Sequence, residues 1–212
     1  MGNSGRGSAT AEAGCESRYR ERLHRSPFEA RTVGAQRIWV GDAFLDPALV
    51  KIIEHRINVL PLYRADYDTP DSKAVLHLKH EFVLDNIDED VVLRALRDRI
   101  VAAVGEVYGV HRPRLDRVHV NDSVFGEIVT PHCDIPVGVT ALYFVNSEWR
   151  DEWDGETLFY AHGEAVSAVA MRPGRVVIFP GNMLHRAGVA SRRCTVARRT
   201  LAYKFHTETI VP

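Results

Sequence analysis

From residue 115 onward this 212-residue chain breaks into short apolar runs punctuated by Gly, Pro and Asn, with no helical period among them. Two helical stripes lie before that point. Strands that follow helices, rather than alternating with them, argue for an antiparallel α+β architecture and against a doubly wound parallel sheet. A double-stranded β-helix, or jelly roll, with two supporting N-terminal helices fits this order, and such a barrel carries its ligand site in its mouth.

The first stripe opens at Asp46-Pro47, a helix cap followed by a first-turn proline, and repeats through Val50, Ile53, Ile57 and Leu60 until Pro61. In the second, Asp88 is the expected cap, Glu89 and Asp90 occupy the first turn, and Leu93, Leu96, Ile100, Val104 and Val107 form the apolar face up to Gly109. Between them, residues 74–83 read as a strand or an irregular wall. Residues 1–34 are rich in Gly, Ser, Ala and charge and read as a flexible tail, with ordered structure expected from Arg37-Ile38-Trp39-Val40. Residues 35–212 are then one domain, long enough to bury one good core.

A formal net charge of −1 gives no reason to expect nucleic acid or a membrane surface as partner. No apolar run reaches spanning length and the N-terminus lacks a signal-peptide core. Cys15, Cys133 and Cys194 are too few and too scattered for a disulfide framework, so a cytoplasmic protein is expected. Cys133 reads as a small buried hydrophobe.

Three residues carry the chemistry. Alternate side chains of an extended segment share a face, so His132 and Asp134 point together while Cys133 points away. His185 follows an apolar strand and a Pro-Gly-Asn turn that can fold it back over the first pair. Two imidazoles and a carboxylate on one side of a metal leave the opposite positions open, the arrangement of non-heme Fe(II) oxygenases. A zinc hydrolase could use the same ligand types.

From about Val118 to Phe205 the chain resembles the Fe(II)/2-oxoglutarate-dependent dioxygenases, in particular their prolyl 4-hydroxylase-like branch. The resemblance rests on ordered blocks: Val120-Asn121-Asp122-Ser123 and Gly126, Pro131-His132-Cys133-Asp134, Val139 to Trp149, Asp154 to Tyr160, Arg172 to Phe179, His185, and Arg198 to Phe205. It implies a cupin-like barrel in which His132, Asp134 and His185 bind Fe(II) and Arg198 holds the distal carboxylate of 2-oxoglutarate, with O2 as the oxidant and ascorbate as a supporting reductant. Arg198 is preferred to Arg199 because it shares a strand face with Thr200, whose hydroxyl would support the same carboxylate. Thr140, Leu142 and Phe144 are the expected cosubstrate walls. Asn121, Trp149 and Arg186 are the candidate substrate contacts, and no catalytic residue is expected beyond the metal site.

The sequence departs from the family pattern in having Phe144 where many relatives carry a tyrosine, Asp154-Gly155 where two glycines are usual, and a longer spacing from His185 to Arg198. The resemblance implies oxidation of an unactivated C–H bond with release of succinate and CO2. The carboxylate at Asp134 favours hydroxylation, desaturation or ring closure over halogenation. A small metabolite, either a free amino acid or a natural-product intermediate, is the expected substrate. The alternatives are a peptidyl-prolyl hydroxylase and a cupin-like binding domain without turnover.

Overall fold

A computed structural model describes residues 28–65, 77–109 and 113–207. Its strands are β1 (Phe28–Val33), β2 (Gln36–Gly41), β3 (Tyr63–Ala65), β4 (His77–Glu81), β5 (Arg114–Ser123), β6 (Gly138–Phe144), β7 (Thr157–Ala161), β8 (Glu164–Val169), β9 (Val176–Pro180), β10 (His185–Ala187) and β11 (Arg198–His206). The helices are α1 (Pro47–Asn58), α2 (Leu84–Glu89) and α3 (Val91–Tyr108). A major sheet runs β1-β2-β9-β6-β11-β5-β4-β3 and a minor one β10-β7-β8. Every ladder among them is antiparallel, as expected, although β1–β4 stand before or between the helices rather than after them.

The period of two divides each central strand between two cores. On β6, Val139, Ala141 and Tyr143 join β11 residues Leu201, Tyr203 and Phe205 under the helices, where Ile53, Ile57, Leu93, Leu96 and Ile100 cover them. Leu142 and Phe144 point the other way and meet Ala202, Val177 and Phe179, with Phe159 and Val169 contributed by the minor sheet. With both faces covered, all seven residues of β6 are buried. Each large aliphatic or aromatic side chain so enclosed contributes about 1.5–3 kcal/mol relative to exposure. That pins the register, because a slip of one residue would turn Thr140 and its neighbours into the helix-side core.

Asp46 caps α1 by accepting from the Ala48 N–H at 2.8 Å, with Pro47 in the first turn. The second stripe starts later than expected. Asp90, not Asp88, caps α3, accepting from the N–H groups of Val92 and Leu93, while Asp88 and Glu89 finish the separate short helix α2. Among the described residues three α-helices therefore support the sheets rather than two. Strand β1 occupies part of the stretch read as tail and pairs with β2 through the Gly34 turn. Of the residues read as strand or wall, His77–Glu81 form β4, and residues 74–76, like 1–27, lie outside the described ones. No described helix is long and apolar enough to cross a membrane.

Candidate metal centre

The segment from Pro131 to Asp134 is extended but lies outside the named strands. It is held by an isolated bridge in which the His132 and His185 backbones exchange hydrogen bonds of 2.9 and 3.0 Å. Beyond it, the N–H groups of Asp134 and Ile135 both donate to the Gly181 carbonyl, and the Gly181 N–H donates to Gly138. These approaches require glycine. A Cβ at Gly181 would sit 2.3 Å from Ile135 Cγ1, and one at Gly138, whose φ is +149°, would sit 2.1 Å from the Phe205 carbonyl oxygen. The Pro-Gly-Asn turn thus stitches the two ligand-bearing segments together.

The side chains converge. Potential ligand atoms of His132, Asp134 and His185 all lie within 4.8 Å of one another. His132 Nε2 is 3.7 Å from Asp134 Oδ1, and His185 Nε2 is 3.7 Å from Asp134 Oδ2. Each ring is oriented by its other nitrogen, with Nδ1 of His132 2.9 Å from the Thr130 carbonyl and Nδ1 of His185 2.9 Å from that of Met183. Nδ1–H donation to a carbonyl fixes the tautomer and leaves Nε2 with its lone pair facing the cluster. Burial pushes the His185 imidazole below its ordinary value despite the nearby carboxylate, which keeps that lone pair available. Borderline nitrogen donors with one hard oxygen suit a divalent iron, and the residues fit such an ion.

Asp134 is itself gripped. Thr140 Oγ1 donates to Oδ2 at 2.6 Å and Lys204 Nζ to Oδ1 at 2.5 Å. Burial works against ionisation, but the His185 ring, the Lys204 charge and these two hydrogen bonds together hold its carboxyl well below the usual carboxylate range.

Arg198 stands at the start of β11 and is buried. Its Nε donates to the Gly155 carbonyl at 2.6 Å and one terminal nitrogen to Thr157 Oγ1 at 3.1 Å, while the guanidinium lies 5.7 Å from the Phe144 ring centroid. Burial lowers its pKa to about 10, so it is still a cation at neutral pH. It opens onto a cavity of about 280 Å³ that also holds the three candidate ligands, Thr140, Leu142 and Thr200. Arg199 faces elsewhere, donating to Asp122 at 2.5 Å and to Asn58.

No family model matches the chain, and no curated protein matches it in sequence. Solved structures do. A prolyl 4-hydroxylase from Pseudomonas putida superposes with a TM-score of 0.60 at 16% identity, over 82% of this chain and 94% of that one. A Trichoplax adhaerens prolyl hydroxylase, solved with a hypoxia-inducible-factor peptide fragment, gives 0.60 at 12% identity over 96% and 94%. The non-heme α-ketoglutarate-dependent epimerase SnoN from nogalamycin biosynthesis gives 0.58 at 16% identity over 92% and 84%. The chain has the fold of the prolyl 4-hydroxylase-like 2-oxoglutarate oxygenases.

On this oxygenase fold the other residues singled out in the sequence separate. Asn121 lines the cavity, but Trp149 and Arg186 do not. Trp149 donates its indole N–H to the Asp154 carbonyl and meets Trp153 edge-on at 5.3 Å, closing its own loop. Arg186 donates to the Tyr160 hydroxyl at 2.7 Å and to the Ala187 carbonyl. Phe144 is fully buried behind Arg198 rather than on the cavity wall. Cys133 is exposed, not a core residue, and its thiol donates to the Asn182 carbonyl.

Sequence reading missed four basic residues of the cavity wall, Lys79, Arg117, His119 and Lys204. A signal for three of them was present. Arg198, Thr200, Ala202 and Lys204 alternate along β11, so the face that carries Arg198 carries Lys204 as well, and Arg117, His119 and Asn121 alternate in the same way along β5.

Proposed function

We propose that the protein is a non-heme Fe(II)- and 2-oxoglutarate-dependent oxygenase that hydroxylates an unactivated C–H bond of a small metabolite. The carrying observation is that a two-histidine, one-carboxylate cluster and a buried arginine open onto one cavity. Bound iron and 2-oxoglutarate would supply the oxidising power, consuming O2 and releasing succinate and CO2. The chain supplies position and charge. His132, Asp134 and His185 hold the metal on one side and leave the other open. Thr140 and Lys204 fix the Asp134 carboxylate. Arg198 presents a planar fork to the distal carboxylate of 2-oxoglutarate, and the Thr200 hydroxyl on the same strand face is its neighbour. Leu142 and Ala202 furnish dry wall between these poles, which strengthens each charge interaction.

A cavity of about 280 Å³ falls at the small end of sites for single organic molecules, which supports a metabolite as substrate. A peptidyl-prolyl substrate is the second reading. It is favoured by the exposed apolar side chains of Val124, Phe125 and Ile128 on the segment leading into His132, against which a peptide could lie.

The test is O2-dependent succinate formation with Fe(II) and ascorbate across amino acids, biosynthetic intermediates and prolyl peptides. The wild type forms succinate in response to a small molecule that itself gains oxygen or loses hydrogen, and His185→Ala forms none. Response to prolyl peptides alone would replace the metabolite with the second reading. Iron binding without any O2-dependent loss of 2-oxoglutarate would leave a binding domain.

A further inference from the structure

On the inner face of the major sheet the cross-strand partners form rows. Thr140, Lys204 and Arg117 make one, Leu142, Ala202 and His119 the next, and Phe144, Thr200, Asn121 and Lys79 a third. The rows put a second cationic region on β5 and β4, across β11 from β6. Its charges are not equally engaged. Lys204 donates to Asp134, and Lys79 to Glu81 at 3.2 Å. Arg117 makes no side-chain hydrogen bond or ion pair among the described residues, and neither does the Asn121 amide, yet both line the cavity.

His119 stands between them on the strand. It is 8% exposed, and its Nδ1 is buried without a hydrogen-bond partner. Burial, reinforced by the Lys204 and Arg117 charges, keeps that ring neutral, so it can donate one hydrogen bond without adding a charge.

Arg198 is the residue assigned to 2-oxoglutarate, and Asp134 and Glu81 already answer Lys204 and Lys79. Among the described residues Arg117 is then left as a positive charge facing the cavity without an acidic partner. A buried or half-buried cation of this kind is stabilised by a ligand of opposite sign, and a guanidinium beside two neutral donors matches a planar carboxylate.

We propose that Arg117, His119 and Asn121 form a subsite for a carboxylate on the prime substrate, so that the molecule oxidised is a small carboxylic acid. This rests on the oxygenase reading above and narrows its substrate class.

The experiment uses full-length protein loaded with Mn(II), which holds the site without turnover. 2-Oxoglutarate binding is measured first by calorimetry. With 2-oxoglutarate saturating, proline, phenylalanine, hexanoate and 3-hydroxybutyrate are each titrated against the corresponding primary amide. At least one acid should bind about tenfold or more tightly than its amide, a difference of about 1.4 kcal/mol. Arg117→Gln should shrink that preference to under twofold and Arg117→Lys should keep part of it, while 2-oxoglutarate binds both variants as it binds the wild type. If no acid outbinds its amide, or if Arg117→Gln leaves the preference intact, the subsite is wrong. Loss of 2-oxoglutarate binding in Arg117→Gln would also overturn it, because Arg117 would then serve the cosubstrate. Failure of the wild type to bind 2-oxoglutarate with Mn(II) present would instead remove the oxygenase reading itself.

Discussion

Arg198 and His119 show how burial and the partners around it shape what a side chain does in this cavity. Burial lowers the Arg198 pKa and the Glu156 charge opposes that, so it stays a cation, while two acceptors, the Gly155 carbonyl and Thr157 Oγ1, fix its Nε and one terminal nitrogen. A lysine there would be a point charge on a flexible stem, unable to reproduce those bonds and the fork together. Arg198→Lys should therefore raise KM for 2-oxoglutarate by about tenfold or more, the worth of one charge-assisted hydrogen bond, while iron affinity stays unchanged by titration. His119 makes a different prediction, about pH. Its folded-state pKa lies well below the ordinary value of about 6.5, with burial the main cause. Above that value neither the folded nor the unfolded state protonates the ring, and it contributes no pH dependence. Below it the unfolded chain takes up a proton that the fold refuses, so stability falls as pH drops, by at most about 1.4 kcal/mol per pH unit from this one group. Urea unfolding of His119→Gln between pH 7 and pH 5 should show a shallower fall than the wild type. Equal slopes would mean that the buried ring is protonated in the fold.

At the scale of elements, the decisive piece is the turn after β9. Gly181 accepts from Asp134 and Ile135 and donates to Gly138, so one residue sets the separation between the two ligand-bearing segments. Gly181→Ala would push a methyl into Ile135 and cost about 1–3 kcal/mol of overpacking. The larger effect should be on the metal. Mn(II) affinity should fall by about tenfold or more, while far-UV circular dichroism stays that of the wild type, because the strain is local to the bridge between His132 and His185. Unchanged affinity would show that the site tolerates a wider turn. The same elements explain what could be read from the sequence and what could not. The antiparallel fold class and the shared face of His132 and Asp134 were legible because periods of two and ordered blocks are local signals. The start of α3 was not, since Asp88 and Asp90 are both acceptable caps by composition and only the extended backbone at Asp90, which ends α2, selects it. Strand β1 was missed because a short edge strand in a polar stretch gains its order from pairing with β2, which is a tertiary fact. Trp149 and Arg186 looked like substrate contacts by proximity in sequence to the site, yet their polar atoms are spent on Asp154 and Tyr160, partners that no spacing rule names.

For the whole molecule, the site joins parts of the chain that are far apart in sequence. Asp134 and His132 belong to a loop, His185 starts a strand of the minor sheet, and Lys204 and Arg198 belong to the centre of the major sheet. A metal held by the first three would tie the loop to the minor sheet beside Phe159 and Phe179, and Thr140 and Lys204, through Asp134, carry that tie to the major sheet. Binding of this kind stabilises only the folded state, by RT ln(1 + [L]/Kd), which is about 2.7 kcal/mol at a hundredfold excess over Kd. For a domain of this size that is roughly 5–10 °C in Tm. Mn(II) should therefore raise Tm by about that amount and a chelator should reverse it. On the proposed function, in which 2-oxoglutarate is held by both the metal and Arg198, it should add a second increment only when the metal is present. Asp134→Ala should lose both increments, and Arg198→Gln should keep the first and lose the second. A 2-oxoglutarate shift that survives chelation would place the ligand at the basic wall without the metal, and the two-pole arrangement of this cavity would have to be redrawn.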